Sequence, residues 1–428
     1  MLVSFAVTNF RSIRERVKLD LNKSALKGLS QNYFKSAGKK QLLKSAVIYG
    51  ANASGKSGML GALHALEFLV KASSGFKPDR KINPYEPHML EKSWATNPVV
   101  FEIEFAVGKY SYEFKVAFSE KKIEEEELYF SPNGTRTLLY SRIAGSEVKF
   151  GDAYRGPKKN LEKLLLPNQL LLSKAAENNV DVLLAPYRFF SEMLMVYPFI
   201  GDYQEQDLTR LYAQRLAEGD SVFSRRFNAL ICALDTGISS VSAEAVNWEK
   251  MEFPGNIPDE IQERVREKYK YDIKTRHVLY DGIRNEGFEK FDVDQESQGT
   301  KSLFVIGGII LDALETGRAL IVDEFEKNLH PNITKYLINL FHNELTNSKN
   351  AQLVFATHDI TQLSNENFRR DQVWFTEKNE FGATLLYRCA DIQGIRLNTP
   401  LDKWYQSGRF GATPIIDDVD FLISMQPA

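Results

Sequence analysis

Cysteine is nearly absent from this 428-residue sequence: Cys232 and Cys389 are its two thiols, and histidine occurs six times. Two thiols cannot build a disulfide framework or a four-thiolate zinc site within one chain. A reducing, cytoplasmic location is therefore expected. No window reaches the roughly 18 uninterrupted apolar residues of a membrane span, and the first ten residues lack a basic leader before a long apolar stretch. Neither a membrane contact nor a targeting segment is expected. An excess of one charge sign is also missing, since 54 basic and 56 acidic residues leave a formal charge of −2. That excludes a generally polycationic chain. With 43% hydrophobic and 26% charged residues the composition is that of a globular protein, and at about 150 residues per domain the length allows roughly three units.

The apolar runs from Leu2 to Val7 and from Leu42 to Tyr49 read as strands. The second ends at a glycine-rich turn, after which Leu60, Leu63, Leu66, Leu69 and Val70 give one helical stripe. Alternation through Phe101, Ile103, Phe105 and Val107 and again through Tyr110, Tyr112, Phe114, Val116 and Phe118 predicts a hairpin turning at Gly108-Lys109. Asn133-Gly134 is a type I′ turn signal for a further antiparallel pair. The acidic run Glu124 to Glu127 reads as a charged strand edge or turn. Residues 161–274 look mainly helical and are expected to form an inserted subdomain. They part a lobe at 1–160, with the glycine-rich turn and antiparallel sheet, from a second lobe at 275–428. The fold class expected is α/β, with a mixed central sheet. No sustained heptads and no Cys-x-x-Cys occur, so long coiled-coil arms with a zinc clasp are excluded.

Gly50-Ala51-Asn52-Ala53-Ser54-Gly55-Lys56-Ser57 matches G-x-x-x-x-G-K-[ST] between a strand and a helix. Glycines let successive amides curl around phosphate, Lys56 reaches the β- and γ-phosphates, and the Ser57 hydroxyl can ligate Mg²⁺. Ala319 to Val322 is a buried-strand pattern ending in Asp323-Glu324. At the carboxyl edge of a parallel sheet, Asp323 suits a water-bridged Mg²⁺ contact, and Glu324 suits the base that activates water. Two later segments complete the set: Glu296-Ser297-Gln298-Gly299-Thr300 opens a helix, and His358 follows the next buried strand. Each alone also reads as a capped helix start or a strand-end turn; their order decides.

Phosphate loop, Ser-x-Gly helix start, Asp-Glu strand and strand-end histidine, in that order, resemble ATP-binding-cassette ATPases of the SMC, RecF and OLD branch. The resemblance implies that ATP is bound with Mg²⁺ and that Ser297 and the Gly299 amide reach the γ-phosphate of a second subunit in a homodimer. It also implies that His358 senses the γ-phosphate and that Asn328-Leu329-His330-Pro331 couples the two sites. Asn9-Phe10-Arg11-Ser12 is similar to the turn after the first strand in this branch, which would bring Arg11 to the phosphates; an exposed turn arginine is the alternative. The signature departs from the transporter form Leu-Ser-Gly-Gly, so a transporter motor is not expected.

Together with Ser407-Gly-Arg-Phe-Gly-Ala-Thr-Pro414, these motifs resemble small stand-alone OLD-related ATPases of phage-defence operons, a group that includes the ATPase of PARIS-type systems. Such a resemblance implies a switch or scaffold that controls a separately encoded toxin or nuclease, in dimers or a higher-order ring. Only 70 residues follow His358, too few for the Toprim domain of OLD nucleases, so no intrinsic nuclease is expected. Asp417-Asp418-Val419-Asp420 is read as a solvated acidic turn. The alternative function is a RecF-like repair ATPase that binds DNA, for which the six lysines between Lys23 and Lys44, with no carboxylate among them, are the candidate contact.

Overall fold

The computed structural model describes all residues except 39, 199–200, 235, 249–252, 256, 397, 415–417, 419–423 and 426–428. The chain divides into two compact units, one of residues 1–198, 317–325 and 341–428, the other of residues 199–316 and 326–340.

The first unit contains two large sheets. An antiparallel sheet of seven strands runs in the order Lys149–Phe150, Thr137–Ile143, Ile123–Ser131, Tyr110–Phe118, Val99–Val107, Leu2–Thr8 and Val17–Asp20. Its alternation is the expected one. Phe101, Ile103, Phe105, Phe114 and Val116 are buried, while opposite them Glu102 pairs with Arg16 and Glu113 with Arg136. The hairpin at Gly108-Lys109 has the two-residue loop expected, with Val107 opposite Tyr110. The second turn differs from the I′ expectation: Pro132–Gly134 forms a short 3₁₀ turn, in which the fixed negative φ of Pro132 suits the first helical position and Gly134 is left-handed at φ 86°.

The acidic run also departs from its reading. Strand Ile123–Ser131 is flanked by strands on both sides, so it is no edge. Glu126 is fully buried, where it accepts from the Tyr140 hydroxyl at 2.7 Å and the Leu171 and Leu172 amides at 2.7 and 3.0 Å. Burial pushes its carboxyl up despite these donors.

The central sheet is mixed, in the order Leu194–Tyr197, Ala319–Val322, Gln352–Ala356, Ser45–Gly50, Val373–Lys378 and Thr384–Arg388. The first five strands are parallel and the last is antiparallel. Consequently Gly50 at the end of one strand, and Asp323 and His358 just after two others, all lie at one edge. Helix Lys56–Ala72 buries Leu60, Leu63, Leu66, Leu69 and Val70 in a core shared with Phe101 and Phe105 of one sheet and Ile48, Ile321 and Val354 of the other.

The second unit packs helices Asp202–Ala217, Ser221–Ala233 and Gln298–Thr316 around stacked Tyr212, Phe223, Phe227 and Phe304. A three-stranded antiparallel sheet joins Ile238–Ala245, Tyr271–Asp281 and Arg284–Asp292. Residues 161–274 are thus not helical throughout: they hold the strand Leu194–Tyr197, which belongs to the central sheet, and Ile238–Ala245.

Candidate functional site

The phosphate loop occupies the turn between strand Ser45–Gly50 and the 17-residue helix Lys56–Ala72. Ala53 and Gly55 are left-handed, at φ 60° and 115°. A Cβ on Gly50 would lie 2.3 Å from Thr376 Oγ1, and one on Gly55 would lie 2.2 Å from Thr384 Oγ1, so the backbone comes too close to its supports for any side chain. The loop closes through the Ser54 amide on the Ala51 carbonyl at 3.2 Å. Asn52 and Ala53 are exposed at its outer turn. Lys56 lies back over the loop and donates to the Gly50 and Ala51 carbonyls at 2.8 and 3.1 Å. The first amides of the helix have no intrahelical partner by geometry, and the helix dipole adds to the attraction for an anion.

The acidic pair is built by a sharp turn. Asp323 continues the strand, its amide donating to the Tyr197 carbonyl at 3.1 Å. Glu324 then takes a left-handed φ of 50°, which returns Phe325 to the interior against Phe355 and leaves Glu324 exposed. For a glutamate that conformation costs of order 1 kcal/mol. Asp323 is largely buried, and burial pushes its carboxyl up; the nearby Ser57 hydroxyl and the Glu324 amide, which donates to Oδ1 at 3.1 Å, oppose that shift. Ser57 therefore lies near enough to Asp323 to act on its carboxyl.

On the adjacent strand, Thr357 is tied to the loop strand through its amide on the Ile48 carbonyl at 3.2 Å. His358 follows, exposed, and Asp359 begins a short 3₁₀ turn whose Thr361 amide it caps. The glycine contacts, the left-handed loop residues and the Ser57–Asp323 pair together fit a magnesium-bound nucleoside triphosphate. A Mg²⁺ ion bound there would supply charge neutralisation on the phosphate oxygens, and Ser57 and Asp323 are the residues that would hold it.

Ser297 and Gly299 belong to the second unit. The Ser297 hydroxyl accepts from the Thr300 amide at 3.1 Å and so caps helix Gln298–Thr316. A Cβ on Gly299 would lie 2.8 Å from the Asn328 carbonyl, and Asn328 Nδ2 donates to Ser302 Oγ at 3.2 Å. The signature turn and the Asn328 to Pro331 loop are hence packed together within this unit. Glu296 is anchored beneath them, accepting from Thr275 and facing His277 Nε2 at 2.8 Å.

Arg11 has a left-handed φ of 50° and forms an ion pair with Glu86. Its guanidinium reaches the second turn of the phosphate-loop helix, where a Cβ on Gly61 would lie 2.8 Å from Nη1. Of the six lysines from Lys23 to Lys44, Lys44 is buried, Lys40 pairs with Glu104, and the Lys23 ammonium lies 4.9 Å from the centre of the Tyr33 ring. Lys27 and Lys35 are exposed, and Lys39 lies outside the described residues. Asp417, Val419 and Asp420 of the acidic turn also lie outside them.

Sequence reasoning missed the groups that hold the loop from behind. Thr376, Thr384 and Tyr405 support it from strands and a helix more than 300 residues downstream: Ser54 Oγ is 2.7 Å from Thr376 Oγ1, Thr384 Oγ1 donates to the Ser54 carbonyl at 2.8 Å, and the Tyr405 ring lies 5.8 Å from that of Tyr49 at the end of the preceding strand. The segment Ser407 to Pro414 packs against this support. The Tyr387 hydroxyl donates to the Phe410 carbonyl at 2.6 Å, and left-handed Gly411 leaves no room for a Cβ beside Glu377. No signal near the loop in the sequence points to these partners.

Residues 45–364 match the family model described as "AAA domain, putative AbiEii toxin, Type IV TA system". The chain belongs to this AAA family. Its coarse biochemical class is accordingly an ATPase domain. No curated protein matches this AAA protein in sequence. Among solved structures, it is similar to an SMC head bound to the C-winged-helix domain of ScpA, at 13% identity and TM-score 0.44, with 90% of this chain and 97% of that one covered. A second is the SMC head domain from Thermotoga maritima, at 13% identity and TM-score 0.39, covering 90% and 98% of the two chains. A third is an SMC head with an extended coiled coil bound to the C-terminal domain of ScpA, derived from Pyrococcus furiosus, at 12% identity and TM-score 0.39, covering 96% and 98%. No helix among the described residues is long and apolar enough to cross a membrane.

Proposed function

We propose that the protein is an ATP-binding and ATP-hydrolysing switch that controls a separately encoded effector, a toxin or nuclease, in antiphage defence. The observation that carries the hydrolytic part is the exposed, left-handed Glu324 that follows the buried Asp323, whose carboxyl feels the nearby Ser57 hydroxyl. Lys56 and the amides of residues 50–57 bind the phosphates; Ser57 and Asp323 hold the metal. Glu324 orients the attacking water and takes its proton on a carboxylate oxygen. His358, at the end of the neighbouring strand, faces the γ-phosphate, and Arg11 leaves Glu86 to reach the phosphates when ATP is bound. Ser297 and Gly299 act on the ATP of a second copy, so binding closes a homodimer and hydrolysis reopens it.

Control of an effector rests on the resemblance to defence-operon ATPases and agrees with a family description that names a toxin system. DNA is the less favoured partner, because Lys23, Lys40 and Lys44 are each engaged within the protein. The test is to express Glu324→Gln in its native cells and purify it with Mg²⁺ and ATP. A stoichiometric second protein is the expected result; nucleic acid without such a protein would replace the effector reading with the DNA one.

A further inference from the structure

The loop that holds phosphate is itself held by a directed chain of hydroxyl groups. Thr384, buried on strand Thr384–Arg388, is fixed by its own amide, which donates to the Ser12 carbonyl at 2.8 Å. Its hydroxyl lies 2.8 Å from the Ser54 carbonyl and 2.8 Å from Ser12 Oγ. A carbonyl only accepts, so the Thr384 proton points to Ser54, and the Ser12 hydroxyl must donate to Thr384. The order Ser12 to Thr384 to Ser54 carbonyl is thus forced, and each bond polarises the next.

That order has a consequence for the peptide between Ser54 and Gly55. In a planar trans peptide the carbonyl and the following N–H point in opposite directions. With the Ser54 carbonyl drawn to Thr384, the Gly55 N–H is aimed away from the supporting strand. Gly55 can rotate freely, having no Cβ and a φ of 115°. Without an external bond its peptide plane would therefore be free to flip. Thr376 secures the other end of the residue, 2.7 Å from Ser54 Oγ.

We propose that Thr384 is a positioning residue for the ATPase site: through the Ser54 carbonyl it fixes the Gly55 amide in the orientation that binds phosphate, and Ser12 acts through Thr384. The proposal rests on the phosphate-loop reading. An amide that contacts phosphate in both the bound and the reacting state contributes uniform binding, so its loss raises KM and spares kcat.

Thr384→Val, which keeps the shape and deletes the donor, is expected to raise the KM for ATP about tenfold with kcat changed less than twofold. Thr384→Ser should restore the wild-type KM. Ser12→Ala should raise KM about threefold, and adding it to Thr384→Val should change nothing further. Ser173→Ala, which removes a buried bond to the Val70 carbonyl elsewhere in the unit, serves as a control for loss of stability alone and should leave KM unchanged. A Thr384→Val enzyme with wild-type KM, or with reduced kcat at unchanged KM, overturns the proposal. So does a Thr384→Ser enzyme as impaired as the valine variant. Should Thr384→Val not fold, Ser12→Ala carries the test, and an unchanged KM there overturns it. Binding of a fluorescent ATP analogue to Lys56→Ala separates the two levels: retained binding removes the phosphate-loop reading itself, whereas lost binding with a wild-type Thr384→Val removes only the positioning role.

Discussion

Glu324 joins the proposed general base to a strained backbone in one residue. A left-handed φ is unfavourable for any residue with a Cβ, yet here it turns Phe325 inward and leaves the carboxylate exposed at the sheet edge. Glu324→Gly should therefore unfold at equal or higher urea concentration, with a gain of up to about 1 kcal/mol, while ATP turnover is lost. An equilibrium urea titration beside a phosphate-release assay checks both; a destabilised, active variant would contradict the role assigned to that backbone turn. This residue pair was legible in the sequence because an apolar strand ending in two carboxylates is a local pattern. Its strain was not, since φ depends on where Phe325 packs.

Among the elements, helix Pro331–His342 ends in a buried imidazole, with His342 Nε2 2.8 Å from Ser45 Oγ. Burial lowers its pKa to about 3, helped by the nearby Lys44 ammonium. Between that value and the ordinary 6.5 the unfolded chain binds a proton that the folded chain does not. Stability therefore falls as pH drops below about 6.5, by at most about 1.4 kcal/mol per pH unit from this group. His342→Gln should flatten that slope between pH 7.5 and pH 5, measured as the change in urea midpoint; an unaltered slope would exclude His342 as its source. In the second unit, helix Gln298–Thr316 approaches helix Asp202–Ala217 so closely that a Cβ on Gly308 would lie 2.3 Å from the Tyr212 ring. Gly308→Ala should cost about 1–3 kcal/mol of stability, seen in the same titration. Helices and alternating strands announced themselves by period, whereas other elements did not. Leu194–Tyr197 is four residues long inside a helical stretch, and Arg284–Asp292 is exposed along almost its whole length, so neither carries an apolar alternation. Glu126 was misread for a related reason: a run of four carboxylates looks solvated until the Leu171 and Leu172 amides, about 45 residues on, are folded onto it.

At the scale of the molecule, the strand-loop-helix core and the acidic strand were readable because each motif is continuous in sequence. The support of the phosphate loop by Thr376, Thr384 and Tyr405 was not, because it is assembled from the far end of the chain. The proposed cycle also depends on Gly299, which has no space for a methyl group beside the Asn328 carbonyl. Gly299→Ala should bind ATP as the wild type does and fail to dimerise on ATP addition, as read by light scattering. An ATP-dependent dimer of wild-type affinity would remove the role in trans. The central claim, that this AAA protein hydrolyses ATP with Glu324 as base, is tested most directly by single-turnover hydrolysis of labelled ATP with wild type and Glu324→Gln side by side. The account predicts that Glu324→Gln binds ATP with near wild-type affinity and cleaves it at least about a hundredfold more slowly; cleavage at the wild-type rate would contradict it.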